Sequence, residues 1–253
     1  MRNAFVFVLV TMAALAAAGV SPAIVGGGPD GNGHPEVGAL LAPQAFSDGT
    51  WEECTGTLIS PTVFLTAEHC DEGLSTVKVT FDSSYTAPGT TYEGTWVGDP
   101  LYGNSQSDPH DLAVVVFPEP GVHGIAPAEL PTPGEVGALA HGDTVTSVGY
   151  GAQSVSKANG KGGHTFHYAD VRYVATGSVN SITPSWIRAS MNPSHGDGGT
   201  CYGDSGGPNF IGDTDVIGGT TITGDATCRS TNVDYRLDTP SARAFLGQFV
   251  TLP

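Results

Sequence analysis

Apolar and polar positions in this chain fall into many short runs separated by glycine, proline and small polar residues. Glu36 to Leu41 and Thr57 to Thr66 read as short strands, and Val77-Lys78-Val79-Thr80-Phe81 alternates with the period of two expected of a half-buried strand. Leu112 to Phe117 is a continuous apolar run, the pattern of a strand covered on both faces. In the second half, Thr144 to Tyr150, Thr165 to Val174 and Trp186 to Ala189 are strand candidates, with a flexible turn at Lys157 to Gly163. One helix is predicted over Pro240 to Val250: Pro240 suits a first turn, and Phe245, Leu246 and Phe249 recur at helical spacing. Between Pro118 and Pro133 the chain is rich in proline and poor in strand signals, which marks a connector between two halves.

Composition sharpens this picture. The 253 residues suffice for one large or two moderate domains with real cores. The 36 glycines are roughly twice the usual ~7% share, which favours many short strands joined by turns. A formal charge of -16 opposes a nucleic-acid or anionic-membrane partner, since like charges repel. Arg2 is followed by an apolar stretch, Ala4 to Ala18, and by small residues at Ser21 and Ala23, so residues 1–23 are expected to be a signal peptide, with 19–23 as a short pro-segment if cleavage falls earlier. The stretch is short for a membrane span of about 20 apolar residues. A secreted, extracellular chain free of the membrane after cleavage is the expectation. In that setting the four cysteines, Cys54, Cys70, Cys201 and Cys228, suggest disulfides rather than a metal site, and their spacing alone allows three pairings.

The candidate chemistry centres on Gly203-Asp204-Ser205-Gly206-Gly207-Pro208. Glycines around a serine permit backbone angles that other residues avoid and leave room for a substrate. A serine hydroxyl is a weak nucleophile at neutral pH, so it requires a histidine to take its proton and a carboxylate to orient that histidine. Upstream stand Thr66-Ala67-Glu68-His69-Cys70 and His110-Asp111 at the head of the apolar run. A carboxylate at the mouth of such a strand is costly unless hydrogen-bonded, and His69 is a suitable donor.

The order His69, Asp111, Ser205, together with Ile24-Val25-Gly26-Gly27, resembles the trypsin and chymotrypsin family of secreted serine proteases over nearly everything after residue 23. The resemblance implies an all-β fold of two packed six-stranded antiparallel barrels with a short C-terminal helix, residues 24–125 forming the first and 126–253 the second. It implies a triad of Ser205, His69 and Asp111, an oxyanion hole from the N–H groups of Gly203 and Ser205, and no cofactor or metal. It selects the pairings Cys54 with Cys70 and Cys201 with Cys228. It also implies that the ammonium of Ile24, once freed, pairs with Asp204. Polypeptide substrates, proteinaceous inhibitors and a monomeric state follow by the same analogy.

Some positions depart from the family pattern. The pocket floor falls on Gly199 and Thr200, which are uncharged, so large apolar or aromatic side chains are expected there. Trypsin-like basic preference is the alternative if Asp197 reaches the pocket. Ile222, Thr223 and Gly224 replace the usual pocket wall, and Glu68 stands where alanine is common and is expected to point outward into solvent. Two further alternatives are a binding protein on the same fold whose catalysis has lapsed and an esterase using the same serine.

Overall fold

The computed structural model describes residues 24–157 and 163–253. The expected signal peptide, and most of the expected flexible turn before Gly163, lie outside the described residues. The strands in chain order are β1 (Gly28–Pro29), β2 (Val37–Leu41), β3 (Glu52–Ser60), β4 (Val63–Thr66), β5 (Thr76–Thr80), β6 (Tyr92–Gly98) and β7 (Ala113–Val116), then β8 (Thr144–Gly149), β9 (Ser154–Lys157), β10 (His164–His167), β11 (Tyr173–Ile182), β12 (Trp186–Ser190), β13 (Pro208–Ile211), β14 (Ile217–Gly224) and β15 (Thr231–Arg236). Among the described residues a single α-helix, α1 (Pro240–Leu246), follows.

Strands β2 to β7 close into an antiparallel barrel in the order β2-β3-β4-β7-β6-β5. The second barrel is the ring β8-β11-β12-β15-β14-β13, closed because β8 pairs with both β11 and β13. β1 pairs outside this ring with β11, so a segment that precedes the first barrel in sequence is laid on the second. The apolar runs explain the first closure: every residue of β2 and β4 is buried, as are three of the four in β7. Phe64 packs edge-on against Phe81 at 5.8 Å inside that barrel. Gly56 lies beneath it, where a Cβ would come within 2.5 Å of the Phe64 ring. Burying a side chain such as Phe64 contributes about 1.5–3 kcal/mol.

A second apolar cluster joins the barrels, bringing Val37, Leu65, Leu112 and Val114 against Val148, Tyr150, Phe210 and Tyr235. Polar bonds cross the same seam. Arg172, fully buried, donates to the Val37 carbonyl at 2.9 Å and to Asp30 Oδ2 at 2.9 Å. The Tyr150 hydroxyl donates to the Asp82 carbonyl at 3.0 Å.

The structure corrects several boundaries. Thr165 to Val174 is two strands, with β10 ending at His167 and β11 beginning at Tyr173. Between them Asp170 takes a left-handed φ of 50°, and its carboxylate accepts the Trp51 and Glu52 N–H groups. The helix stops at Leu246 rather than Val250, and Thr239 caps its start by accepting from Ala242 N at 3.2 Å. Among the described residues no helix is long and apolar enough to cross a membrane.

Candidate active site

The first barrel delivers a histidine and an aspartate to one edge. β4 ends at Thr66, buried Ala67 follows, and one 3-10 turn, Glu68–Cys70, presents His69. A disulfide from Cys70 to Cys54 on β3, with Cα atoms 6.3 Å apart, anchors that turn. Asp111, immediately before Leu112 and β7, is buried and receives two bonds from the same residue: His69 N donates to Oδ1 at 2.9 Å and His69 Nδ1 lies 2.8 Å from Oδ2. A carboxylate in this position accepts from Nδ1–H, which leaves Nε2 as the acceptor nitrogen.

The second barrel delivers the serine on a turn between Cys201 and β13. Gly203 and Gly206 take φ values of 95° and 81°, which L side chains rarely adopt. A Cβ on Gly206 would also come within 2.1 Å of Thr66 Oγ1. Thr55 of the first barrel holds both sides of this turn, its N–H donating to the Ser205 carbonyl at 2.9 Å and its hydroxyl to the Gly203 carbonyl at 3.0 Å. The backbone N–H groups of Gly203 and Ser205 have no protein acceptor among the described residues. His69 and Ser205 line one open cavity of about 320 Å³, although no hydrogen bond joins their side chains here. Such bonds are often loose in unliganded sites and tighten once substrate is bound.

A family model described as Trypsin matches residues 33–245. This chain belongs to the trypsin family. A search by sequence among curated proteins finds no match. Among solved structures, the chain is similar to an HL collagenase, with a TM-score of 0.64 at 20% identity, covering 85% of this chain and 92% of that one. It is also similar to human heparin binding protein, with a TM-score of 0.65 at 15% identity, covering 89% and 96% respectively.

Within this trypsin-family frame the cavity wall carries Thr200, Ile222, Thr223 and Gly224, together with Tyr202, Thr221, Asp225 and Cys228. Gly199 is not part of the lining: its N–H donates to the Val25 carbonyl at 3.1 Å, and a Cβ there would strike Met191. Asp197 does not reach the cavity either. Its carboxylate is buried and accepts from the Ser178 hydroxyl at 2.8 Å, so it supplies no charge to the pocket. Behind Thr200 lies Asn232, bonded to its hydroxyl at 2.6 Å, a polar but uncharged backing. The Cys201–Cys228 disulfide, with Cα atoms 5.2 Å apart, ties the serine turn to the opposite wall.

Asp225 was not legible as a cavity residue, because an aspartate next to a glycine is common in turns. It organises the cavity rim by accepting the Thr227 hydroxyl at 2.7 Å and the N–H groups of Ser230 at 2.7 Å and Thr231 at 2.9 Å, and these bonds, the Thr227 one foremost, lower its pKa against the effect of partial burial. Glu68 corrects the expectation of a solvated side chain. It lies against Gly98 and accepts from Trp96 Nε1 at 3.2 Å, and partial burial raises its pKa to about 7. Packing against an interior glycine leaves no signal in the residues next to Glu68. One cluster of metal-ligand residue types, Cys54, His69 and Cys70, lies at the site among the described residues, but its two sulfurs are joined to each other and offer no thiolate.

Asp204 is fully buried. It accepts from Gly151 N at 2.9 Å and Cys201 N at 2.8 Å, and burial raises its pKa to about 7 despite those bonds. Ile24 is also fully buried, with a φ of 46° that a β-branched residue rarely adopts, and its neighbour Val25 bridges to Gly199. In the continuous chain no hydrogen bond links Ile24 to Asp204.

Proposed function

We propose that this chain is a secreted serine endopeptidase with Ser205 as nucleophile, His69 as base and then acid, and Asp111 as the group that orients His69. Ser205 Oγ attacks a peptide carbonyl, its proton passes to His69 Nε2, and the new oxyanion is held by the N–H groups of Gly203 and Ser205. The C–N bond then breaks as His69 returns the proton to the leaving amine. Water, deprotonated by His69, releases the acyl group and regenerates the serine. The observation that carries this reading is the doubly bonded His69–Asp111 pair facing Ser205 across one cavity.

The cavity that receives the acyl-side residue takes no charge from Asp197, which is turned to Ser178, and the one carboxylate in its wall, Asp225, is engaged by the main-chain N–H groups of Ser230 and Thr231. Apolar or aromatic side chains therefore suit it. Activation is assigned to cleavage before Ile24, which frees an ammonium for the buried Asp204 carboxylate and removes the strained φ at Ile24. Breaking such a buried pair costs about 3–5 kcal/mol.

A second reading, a binding protein with lapsed catalysis, draws on the missing Ser205–His69 hydrogen bond and on likeness to a structure titled as a heparin binding protein. The test is hydrolysis of peptide amides bearing Phe, Leu, Lys or Arg, alongside organophosphate labelling. Labelling that disappears in Ser205→Ala, with turnover of Phe or Leu substrates, supports the protease. Neither labelling nor turnover in a chain beginning at Ile24 establishes the binding reading, and turnover of esters alone establishes an esterase.

A further inference from the structure

Beyond the cavity shared by His69 and Ser205, a second cavity of about 360 Å³ is lined by Tyr202 and Gly203. Tyr202 lines both, and Gly203, one of the two oxyanion donors, lies in the wall of the second. Its wall also carries three acids, Glu52 and Glu53 at the start of β3 and Asp48 on the loop before it, together with Tyr168.

Glu52 is unusual among these. It is 4% exposed, and neither carboxylate oxygen has a hydrogen-bond partner. Both oxygens press on Gly203, where a Cβ would lie 2.7 and 2.8 Å from them. A buried carboxyl without a hydrogen-bond partner is expensive, and a bound water or cation is one of the few things that offsets the cost. The charged groups around it are Asp204, Asp170 and Glu53, all acids, and together with burial they raise its pKa well above the usual carboxylate range. Glu53 is pushed up to about 8 by burial and by sharing a hydrogen bond with Glu72. Among the described residues, none lining this cavity is basic.

We propose that this cavity is a subsite for a cationic side chain, Lys or Arg, on the leaving-group side of the scissile bond, selected by Glu52 and Glu53. The proposal rests on the protease reading for its orientation. With the acyl-side residue in the His69–Ser205 cavity and the carbonyl oxygen at Gly203, the leaving side of the chain is assigned to the neighbouring cavity, which shares Tyr202 with the first and has Gly203 in its own wall. A cation there gives Glu52 and Glu53 the counter-charge that the fold lacks. Both sit within two residues of Cys54, whose disulfide anchors the His69 turn, so the acidic wall is fixed relative to the reacting atoms.

The test has two arms. In the first, peptides with one acyl-side sequence carry Lys, Arg, norleucine or Glu at each of the first two leaving-side positions, and kcat/KM is compared for the chain beginning at Ile24. Lys and Arg are expected to exceed norleucine at one position by about tenfold, with that ratio falling toward unity in Glu53→Gln and in Glu52→Gln. Equal rates for Lys and norleucine at both positions, or an unaltered ratio in Glu53→Gln, overturn the proposal. Glu53, only half-buried, supplies the informative variant if Glu52→Gln fails to fold. The second arm does not need catalysis: Ser205→Ala protein is titrated with argininamide. Saturable binding that weakens about tenfold or more in Glu53→Gln supports the subsite even if no peptide is hydrolysed, in which case the protease reading alone fails. Absence of binding overturns it. Binding to the chain that retains residue 23 but not to the chain cut before Ile24 assigns the cavity to the protein's own ammonium, and overturns it as well.

Discussion

At the scale of single residues, His69 and Glu68 are neighbours with opposite circumstances. His69 has its orientation fixed twice by Asp111, through main chain and ring. Replacing Ser205 or His69 by alanine is expected to lower kcat by about 10⁶, as in triads whose members act as a unit, with little change in Tm. Steady-state kinetics on a peptide amide and a thermal melt check both halves of that expectation. Glu68 carries a pKa raised to about 7 while accepting from the Trp96 indole. Trp96 fluorescence is therefore expected to titrate near neutral pH and to lose that transition in Glu68→Gln. A pH-independent emission in the parent would show that Glu68 is not the ionising neighbour.

At the scale of elements, the turn bearing Ser205 is held by two bonds from Thr55, to the Gly203 and Ser205 carbonyls, and by the Cys201–Cys228 bridge. Loss of the bridge in a Cys201→Ala/Cys228→Ala variant is expected to cost about 2–5 kcal/mol. It should also raise KM more than Cys54→Ala/Cys70→Ala does, because Cys228 lines the acyl-side cavity and Cys54 does not. Denaturant melts and kinetics on the two variants separate these effects. The same elements show what the sequence made legible. The runs around β2, β4 and β7 are apolar enough to announce themselves, and the residues His69, Asp111 and Ser205 carry recognisable neighbours. Strands β6, β14 and β15 do not: Tyr92–Gly98 mixes exposed Glu93 with glycines, and Ile217–Gly224 is mostly glycine and threonine. Their strand identity comes from barrel closure, a long-range property that no local window contains. Glu52 was silent for a related reason, since its isolation depends on Gly203, Asp170 and Asp204 arriving from distant parts of the chain.

At the scale of the whole molecule, several acids are buried without cations. Burial raises Asp204 to about 7 and Asp234 to about 8, and Glu52 also moves upward. A carboxyl whose folded pKa lies above its unfolded value contributes stability that is fully present below the unfolded pKa and is lost as pH rises through the folded one. The chain uncleaved before Ile24 is therefore expected to melt at higher temperature near pH 5 than near pH 8. The net charge of -16 acts in the same direction through self-repulsion. Once an ammonium at Ile24 faces Asp204, that residue's contribution reverses sign, since its pKa then falls and its share is lost on acidification. Thermal melts of both forms across pH 4–9 should show the cleaved form less destabilised at pH 8, and identical profiles would count against the pairing.

Thr55 lies in one barrel and grips main-chain oxygens on both flanks of the serine in the other. The reactive turn is thus fastened to its neighbour as a latch to a frame, and the two halves cannot slide apart while it keeps its shape. A ligand that wedges the seam open would disarm the serine without touching it, which makes the join between the barrels, rather than the cavity mouth, a place where inhibition could be imposed from a distance.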